Sequence, residues 1–157
     1  MAFPKVGDIA PIFTLKNQLG EDVSLKKFKG IANVVLYFYP KALTPGCTVQ
    51  ACGIRDHREE FEALNTVILG VSPDAPAKLK KFSDKHNLNF ELLSDEDHSI
   101  AEKYGVWNLK KFMGREFMGV VRTSFLINKQ GRVVKIIDKV NTKTHDADML
   151  ELIRNGI

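Results

Sequence analysis

Two mainly hydrophobic runs, residues 34–39 and 66–72, are the strongest strand signals in the chain. A continuous apolar run of this length is typical of a strand that is buried on both faces of a sheet. Pro40 directly follows the first run, and Pro73 directly follows the second. Because proline cannot donate to a sheet ladder, each strand is predicted to end there.

Shorter segments near both ends of the chain predict hairpins. Residues 13–15 and 23–25 flank a glycine-containing turn near the N-terminus. Residues 124–127 and 133–137 surround Asn-Lys-Gln-Gly at 128–131, which is a typical turn sequence. Each pair therefore predicts two antiparallel strands joined by a short loop.

The remaining hydrophobic positions predict helices, one short strand and a loop. Helices are predicted at 48–64, 76–86, 98–104 and 147–154, a strand at 90–93, and a loop around Trp107. Strands thus alternate with helices in the middle of the chain, and a hairpin completes the sheet. This order predicts an α/β fold with a mixed central sheet, helices on both faces and an N-terminal hairpin. A length of 157 residues suggests a single domain.

Charge and hydropathy narrow the possible functions. The net charge is +4, but the basic residues are scattered, and the densest cluster, residues 78–81, lies in a helical pattern. We interpret this cluster as a solvated helix face and expect no nucleic-acid binding.

No segment approaches the roughly 18 apolar residues that span a bilayer. Residues 1–5 contain no basic segment followed by an apolar run, so we expect a cytoplasmic protein without a secretory signal.

Cys47 lies where the first buried strand gives way to a helix. Open α/β sheets bind ligands beyond the carboxyl ends of their strands. A helix N-terminus also presents free backbone N–H groups and positive potential, which favour the thiolate form of a cysteine. Since the thiolate is the nucleophile, this position makes Cys47 a candidate reactive residue.

The second cysteine, Cys52, is predicted on the same helix. Residues five apart on an α-helix have Cα atoms about 8.6 Å apart and point 140° away from each other. A disulfide requires Cα atoms closer than about 7 Å and converging Cβ vectors. An intact helix therefore cannot hold a Cys47–Cys52 bond, and we expect the helix to unwind locally if that bond forms.

The spacing of the cysteines bears on two other roles, metal binding and thiol-disulfide exchange. Cys47, Cys52 and His57 are spaced five and five, which spreads them around a helix and does not match known zinc spacings. His86, His98 and His145 are isolated in the sequence, and each is expected at the surface, so no metal site is expected. A thiol-disulfide exchanger, which normally has a Cys-x-x-Cys motif, and a non-catalytic redox sensor remain alternatives.

Residues 38–52 strongly resemble the peroxiredoxins. The segment contains Pro40-x-x-x-Thr44-x-x-Cys47, and the additional Cys52 is similar to the bacterioferritin comigratory protein, or peroxiredoxin Q, branch of that family. Further similarity is found in residues 6–11, 92–95, 104–107 and 122–127. The resemblance implies a thioredoxin-like fold and a thiol-dependent peroxidase that reduces hydrogen peroxide and organic hydroperoxides.

The resemblance also implies a role for five residues. Cys47 would attack the peroxide and become a sulfenic acid, and Cys52 would resolve that acid by forming an intramolecular disulfide. Thr44 would orient the peroxide, Arg122 would stabilise the thiolate and the developing charge, and Pro40 would shield the thiolate from water. No metal, haem, flavin or other cofactor is needed.

The resemblance further implies an external reductant. Electrons would come from thioredoxin or a similar dithiol, and the protein would be a monomer or weak dimer. Position 50 is Gln, where many relatives have Glu, and this leaves a pairing between Arg122 and a carboxylate in doubt. Ala42 similarly replaces a residue that is often acidic.

Overall fold

A seven-stranded mixed sheet forms the centre of the protein in the computed structural model, which describes residues 4–156. The elements in chain order are β1 (Thr14–Asn17), β2 (Asp22–Ser24), a 3-10 helix (Leu25–Phe28), β3 (Asn33–Phe38), α1 (Pro45–Asp56), α2 (Arg58–Ala63), β4 (Thr66–Ser72), α3 (Pro76–His86), β5 (Glu91–Ser94), α4 (Ser99–Lys103), β6 (Trp107–Phe112), β7 (Arg115–Val120), β8 (Thr123–Ile127), β9 (Val133–Ile137) and α5 (His145–Arg154). The strand order in the sheet is β2-β1-β5-β4-β3-β8-β9.

The two hydrophobic runs form the middle of this sheet, as predicted. β3 pairs in parallel with β4 and antiparallel with β8. The backbone N–H of Tyr39 still donates to the carbonyl of Val71, at 3.0 Å, and the pairing stops at Pro40. The carboxyl end of β3 therefore opens directly into the loop that leads to α1.

Both predicted hairpins are present. Leu15 lies opposite Val23 in the antiparallel pair of β1 and β2. β8 and β9 pair antiparallel with an irregularity between Leu126 and Ile127. The turn between β8 and β9 is closed by Asn128, whose side-chain oxygen accepts from two backbone N–H groups. The sheet thus ends in a hairpin on each side.

Alternate side chains of β3 enter two different hydrophobic cores. Phe38 packs in one core with residues of α4. Tyr37 and Tyr39 face the other core, which is covered by α1, α3 and α5. Because successive side chains of a strand point to opposite faces, this division places helices on both faces of the sheet, as expected.

The predicted helix at 48–64 is wrong in its extent. Residues Pro45–Asp56 form α1, the helix is interrupted at His57, and α2 follows. The helix starts earlier than predicted because proline is well suited to the first helical position, where Pro45 lies. At His57 the backbone N–H bonds the carbonyls of Ile54 and Arg55, which tightens the last turn and ends α1.

The loop predicted around Trp107 is also wrong. Trp107 begins β6, which pairs with β7 in a two-stranded ribbon outside the main sheet. The ribbon is mostly exposed, so its sequence lacks the regular alternation of hydrophobic and polar residues that marks a half-buried strand. The Trp107 ring stacks on His98 with ring centroids 3.9 Å apart.

The lysine cluster at 78–81 lies on α3, as predicted. Leu79 is buried, whereas Lys78 and Lys80 form ion pairs with Asp74 and Asp84 along the helix. Within residues 4–156, no helix has the length and apolar character required to cross a membrane.

Candidate active site

Cys47 lies in the first turn of α1, two residues after the helix begins. The first helical hydrogen bond donates from the Thr48 N–H to the Thr44 carbonyl, at 2.9 Å. The N–H groups of Gly46 and Cys47 therefore have no acceptor within the helix and contribute positive potential near the sulfur. The Cys47 side chain is nevertheless well enclosed, with 2% of the residue exposed.

The guanidinium of Arg122 donates hydrogen bonds to the sulfur of Cys47 and to Gln50. Its Nη2 donates to Cys47 Sγ at 3.3 Å, and its Nη1 donates to Gln50 Oε1 at 2.6 Å. Gln50 is buried one helical turn after Cys47, so the two contacts hold the planar guanidinium against α1. The glutamine amide oxygen thus takes the acceptor role that the sequence left in doubt.

The sheet explains why residues 75 positions apart meet. Phe38, the last residue of β3, lies opposite Thr123, the first residue of β8. Since the two strands are antiparallel, the carboxyl end of β3 and the beginning of β8 lie at the same edge of the sheet. Arg122 immediately precedes β8, and it therefore emerges beside the loop that carries Cys47.

A buried carboxylate orders the loop between β3 and α1. Asp74 Oδ2 accepts from the backbone N–H of Ala42 and from the Ser72 hydroxyl, each at 2.8 Å. Leu43 adopts a left-handed backbone conformation with φ of 66°, which costs a non-glycine residue about 1 kcal/mol or more. The Asp74 contact is remote in sequence, and the motif did not indicate it.

The remaining predicted site residues lie on this loop and on α1. Pro40 is half-buried at the end of β3. The Thr44 hydroxyl donates to the Lys41 carbonyl at 2.8 Å, which leaves its oxygen lone pairs available as acceptors. Cys52 is a half-buried free thiol on the same continuous helix as Cys47, five residues further along.

Lys110 is a site neighbour that sequence reasoning missed. It belongs to β6, and its Nζ donates to the Val120 carbonyl at 3.0 Å. Burial lowers the pKa of Lys110, the nearby Arg122 guanidinium lowers it further, and the Cys47 side chain acts in the opposite direction. The ribbon formed by β6 and β7 therefore brings a second positive charge within electrostatic range of the sulfur.

His145 is buried, and its predicted surface position is wrong. Its Nε2 lies 2.7 Å from the Ser124 hydroxyl, and its ring lies against Tyr37. Burial lowers the pKa of His145 to about 4, so the imidazole is neutral at pH 7. Sequence reasoning missed this because the residue stands in a polar segment ahead of the predicted helix. Across residues 4–156, His, Cys, Asp and Glu side chains form no group of three or more that could hold a metal ion.

Comparisons with known proteins identify the family of this chain. The sequence profile of the AhpC/TSA family matches residues 6–136. A putative peroxiredoxin Bcp of Haemophilus influenzae is 53% identical over 150 residues, which cover 96% of this chain and 96% of that protein. The chain belongs to the peroxiredoxin family. Peroxiredoxin Bcp of Bacillus subtilis is 49% identical over 151 residues, again 96% of each chain.

A solved relative supports the fold as well as the family. The bacterioferritin comigratory protein of Xanthomonas campestris has 31% sequence identity and a TM-score of 0.86, covering 91% of this chain and 90% of that one. Structures of its trapped intermediate and ligand complexes address the alkyl peroxide reduction activity of that protein. The expected thioredoxin-like fold is confirmed, and this peroxiredoxin is a thiol-dependent peroxidase.

Proposed function

We propose that this peroxiredoxin reduces hydrogen peroxide and organic hydroperoxides with Cys47 as the attacking thiolate and Cys52 as the resolving thiol. The observation that carries the proposal is the 3.3 Å contact between Arg122 Nη2 and Cys47 Sγ at the N-terminus of α1. A guanidinium remains protonated throughout the physiological range, so this contact favours the sulfur as an anion.

In the first step, the Cys47 thiolate attacks one peroxide oxygen. An S–O bond forms and the O–O bond breaks, so sulfur loses two electrons and becomes a sulfenic acid. The leaving oxygen takes up a proton and departs as water or an alcohol. Because negative charge develops on that oxygen as the O–O bond breaks, a fixed positive group beside it lowers the barrier.

Arg122 fits this electrostatic role because it is held by two acceptors. Its contact with Gln50 Oε1 fixes the guanidinium plane, so little reorganisation is needed when charge moves from sulfur to oxygen. Thr44 immediately precedes α1, and its hydroxyl oxygen can accept a hydrogen bond from the peroxide. Pro40, half-buried ahead of the same loop, would limit the access of water to the thiolate.

In the second step, the Cys52 thiolate attacks the sulfenic sulfur of Cys47. The disulfide forms, the S–O bond breaks, and the departing hydroxide is protonated to water. Since α1 is continuous across both cysteines, this step requires local unwinding of the helix. An external dithiol of the thioredoxin type then supplies two electrons and returns both cysteines to thiols.

We also propose the substrates, the cellular location and the oligomeric state of this protein. Alkyl hydroperoxides are proposed as substrates because structures of the related Xanthomonas campestris protein address its alkyl peroxide reduction activity. Both cysteines must return to thiols in each cycle, which supports a cytoplasmic, reducing location. Both reside on one helix of one chain, so the cycle needs no second subunit, in agreement with a monomer or weak dimer.

Peroxide consumption coupled to thioredoxin, thioredoxin reductase and NADPH tests the proposal. Wild type is compared with Cys47→Ser and Cys52→Ser. We expect Cys47→Ser to abolish turnover, and Cys52→Ser to give one burst of sulfenic acid without an intramolecular disulfide. Full activity of Cys47→Ser would show that the attacking thiol is wrongly assigned.

A further inference from the structure

The side chain of His57 joins the end of α1 to α5. Its Nδ1 lies 3.1 Å from the Gly53 carbonyl oxygen and 2.7 Å from Asp146 Oδ2. Asp146 is in the first turn of α5, and 11% of its side chain is exposed, against 40% for His57. We refer to these contacts among Gly53, His57 and Asp146 as the helix clamp.

Gly53 allows the helix clamp to close. A Cβ atom at this position would lie 3.1 Å from Asp146 Oδ1, closer than ordinary packing allows without a shift of the carboxylate. The imidazole also caps a carbonyl at the helix C-terminus, where a protonated histidine interacts favourably with the helix dipole. The clamp therefore stabilises the last turn of α1.

Cys52 belongs to the turn that the clamp closes. It immediately precedes Gly53, and the helical pattern pairs its carbonyl with the N–H of Asp56, the residue before His57. A Cys52 side chain that turns towards Cys47 must leave this turn. Movement of Cys52 towards Cys47 therefore opens the last turn of α1, whereas movement of Cys47 towards Cys52 unwinds the first turns.

We propose that the helix clamp restrains Cys52 and so slows its attack on the Cys47 sulfenic acid. This inference rests on the disulfide step of the proposed function. His57 and Asp146 are positioning residues in this proposal, because they act through the helix and touch neither peroxide nor sulfur. The clamp prolongs the lifetime of the sulfenic acid while leaving the first step unchanged.

The charges around His57 make the restraint depend on pH. His57 faces Asp56 of α1, Glu60 of α2 at 3.8 Å and Asp146 of α5, while Glu60 is also bonded by Arg154 of α5. The Gly53 carbonyl and then these three carboxylates raise the pKa of His57 above its usual value of 6.5, although partial burial opposes the shift.

The sign of the pH effect follows from this raised pKa. A cation favoured by the closed clamp contributes its full stabilisation below about pH 6.5. That contribution is lost as the pH rises through the raised pKa of the closed form. The clamp is therefore strongest in mildly acidic solution and weakest in alkaline solution.

Rapid mixing of the reduced full-length protein with one equivalent of hydrogen peroxide separates the two steps. Samples are quenched with a thiol alkylating reagent, and mass spectrometry counts sulfenic acid and disulfide over time. The variants are Asp146→Asn and His57→Gln. The control is Glu62→Gln, which removes an exposed ion pair with Arg58 on the neighbouring helix α2.

At pH 6 we expect disulfide formation to be about threefold to tenfold faster in both clamp variants than in wild type, corresponding to about 0.7–1.4 kcal/mol. The ratio of the variant rate to the wild-type rate should fall at pH 9. The control variant should form the disulfide at the wild-type rate at both pH values. Sulfenic acid formation should be unchanged throughout.

A ratio near one at pH 6, or a ratio that does not change with pH, would overturn the clamp proposal. Wild type that forms sulfenic acid but no Cys47–Cys52 disulfide would overturn the proposed resolving step as well.

Discussion

The two ends of α1 are held by different parts of the molecule and by different chemistry. At the N-terminal end, Cys47 is almost fully enclosed and accepts a hydrogen bond from Arg122, a permanent cation that immediately precedes β8. At the C-terminal end, the helix clamp uses His57, whose side chain is 40% exposed and whose charge depends on pH. The charge that holds the N-terminal end of α1 is therefore permanent, whereas the charge that holds its C-terminal end changes with pH.

This difference separates two requirements of the proposed catalytic cycle. Peroxide attack needs a rigid arrangement, because a fixed charge stabilises a transition state only when it is already in place. Disulfide formation needs the same helix to open. In the proposed cycle, Arg122 holds the N-terminal end of α1 in place during peroxide attack, whereas the helix clamp restrains the C-terminal end until the disulfide forms.

The largest effect is expected from Arg122→Ala, which removes the charged contact at the N-terminal end. Loss of a preorganised group that stabilises developing negative charge typically costs about 100-fold to 1,000-fold in rate. We expect sulfenic acid formation to slow by this order, as measured by rapid mixing at pH 7. The matched control is Arg58→Ala, an exposed arginine of α2 paired with Glu62. A loss below about threefold for Arg122→Ala would contradict the role given to the contact.

The second prediction concerns the attachment of α5, on which the clamp depends. Burial lowers the pKa of His145 to about 4, so the unfolded chain binds a proton more readily than the folded protein below pH 6.5. Stability should therefore fall by about 2–3 kcal/mol between pH 7 and pH 4.5 through this residue. Urea unfolding at both values measures the loss.

The variant His145→Gln isolates this contribution. Gln does not titrate, so the difference in unfolding free energy between wild type and variant should narrow as the pH falls. His57 acts in the opposite direction, because its raised pKa favours the folded state at low pH. A constant difference between the two proteins would show that His145 does not titrate as its burial indicates.

Sequence reasoning predicted the structure around the N-terminal end of α1 better than the contacts of its C-terminal end. Cys47 could be placed because a buried strand, a proline and a helix start are local signals. Arg122 could be placed only through resemblance, since the meeting of β3 and β8 is a property of the sheet. The burial of His145, the position of Lys110 and the clamp depend on packing between elements distant in sequence. No local pattern of hydrophobic residues reports such contacts.

A smaller effect is expected from Gln50→Leu, which leaves Arg122 in place but removes one of its two acceptors. The lost hydrogen bond to a charged group is worth about 1.5 kcal/mol, so sulfenic acid formation should slow by about tenfold. Gln50→Glu keeps an acceptor oxygen and should remain within about threefold of wild type. Equal losses in the two variants would indicate that the shape of the side chain matters and the contact does not.

The smallest effect distinguishes the two ends directly, through a glycine at each. Alanine in place of glycine favours a helix by roughly 0.5–1 kcal/mol. At Gly46 the new methyl group would lie 3.5 Å from Arg122 Nη2, an ordinary contact, so α1 should be stabilised without a clash. At Gly53 it would lie 3.1 Å from Asp146 Oδ1 and displace the clamp carboxylate.

Gly46→Ala should therefore slow disulfide formation by about twofold to fivefold, because the helix becomes harder to unwind. Gly53→Ala should be close to wild type or faster, since the gain in helix propensity is offset by a weaker clamp. The same quenched time courses measure both, and the rate of sulfenic acid formation serves as the internal control. Equal slowing by the two substitutions would mean that helix propensity alone sets the rate of opening, and that the contact with α5 contributes nothing to it.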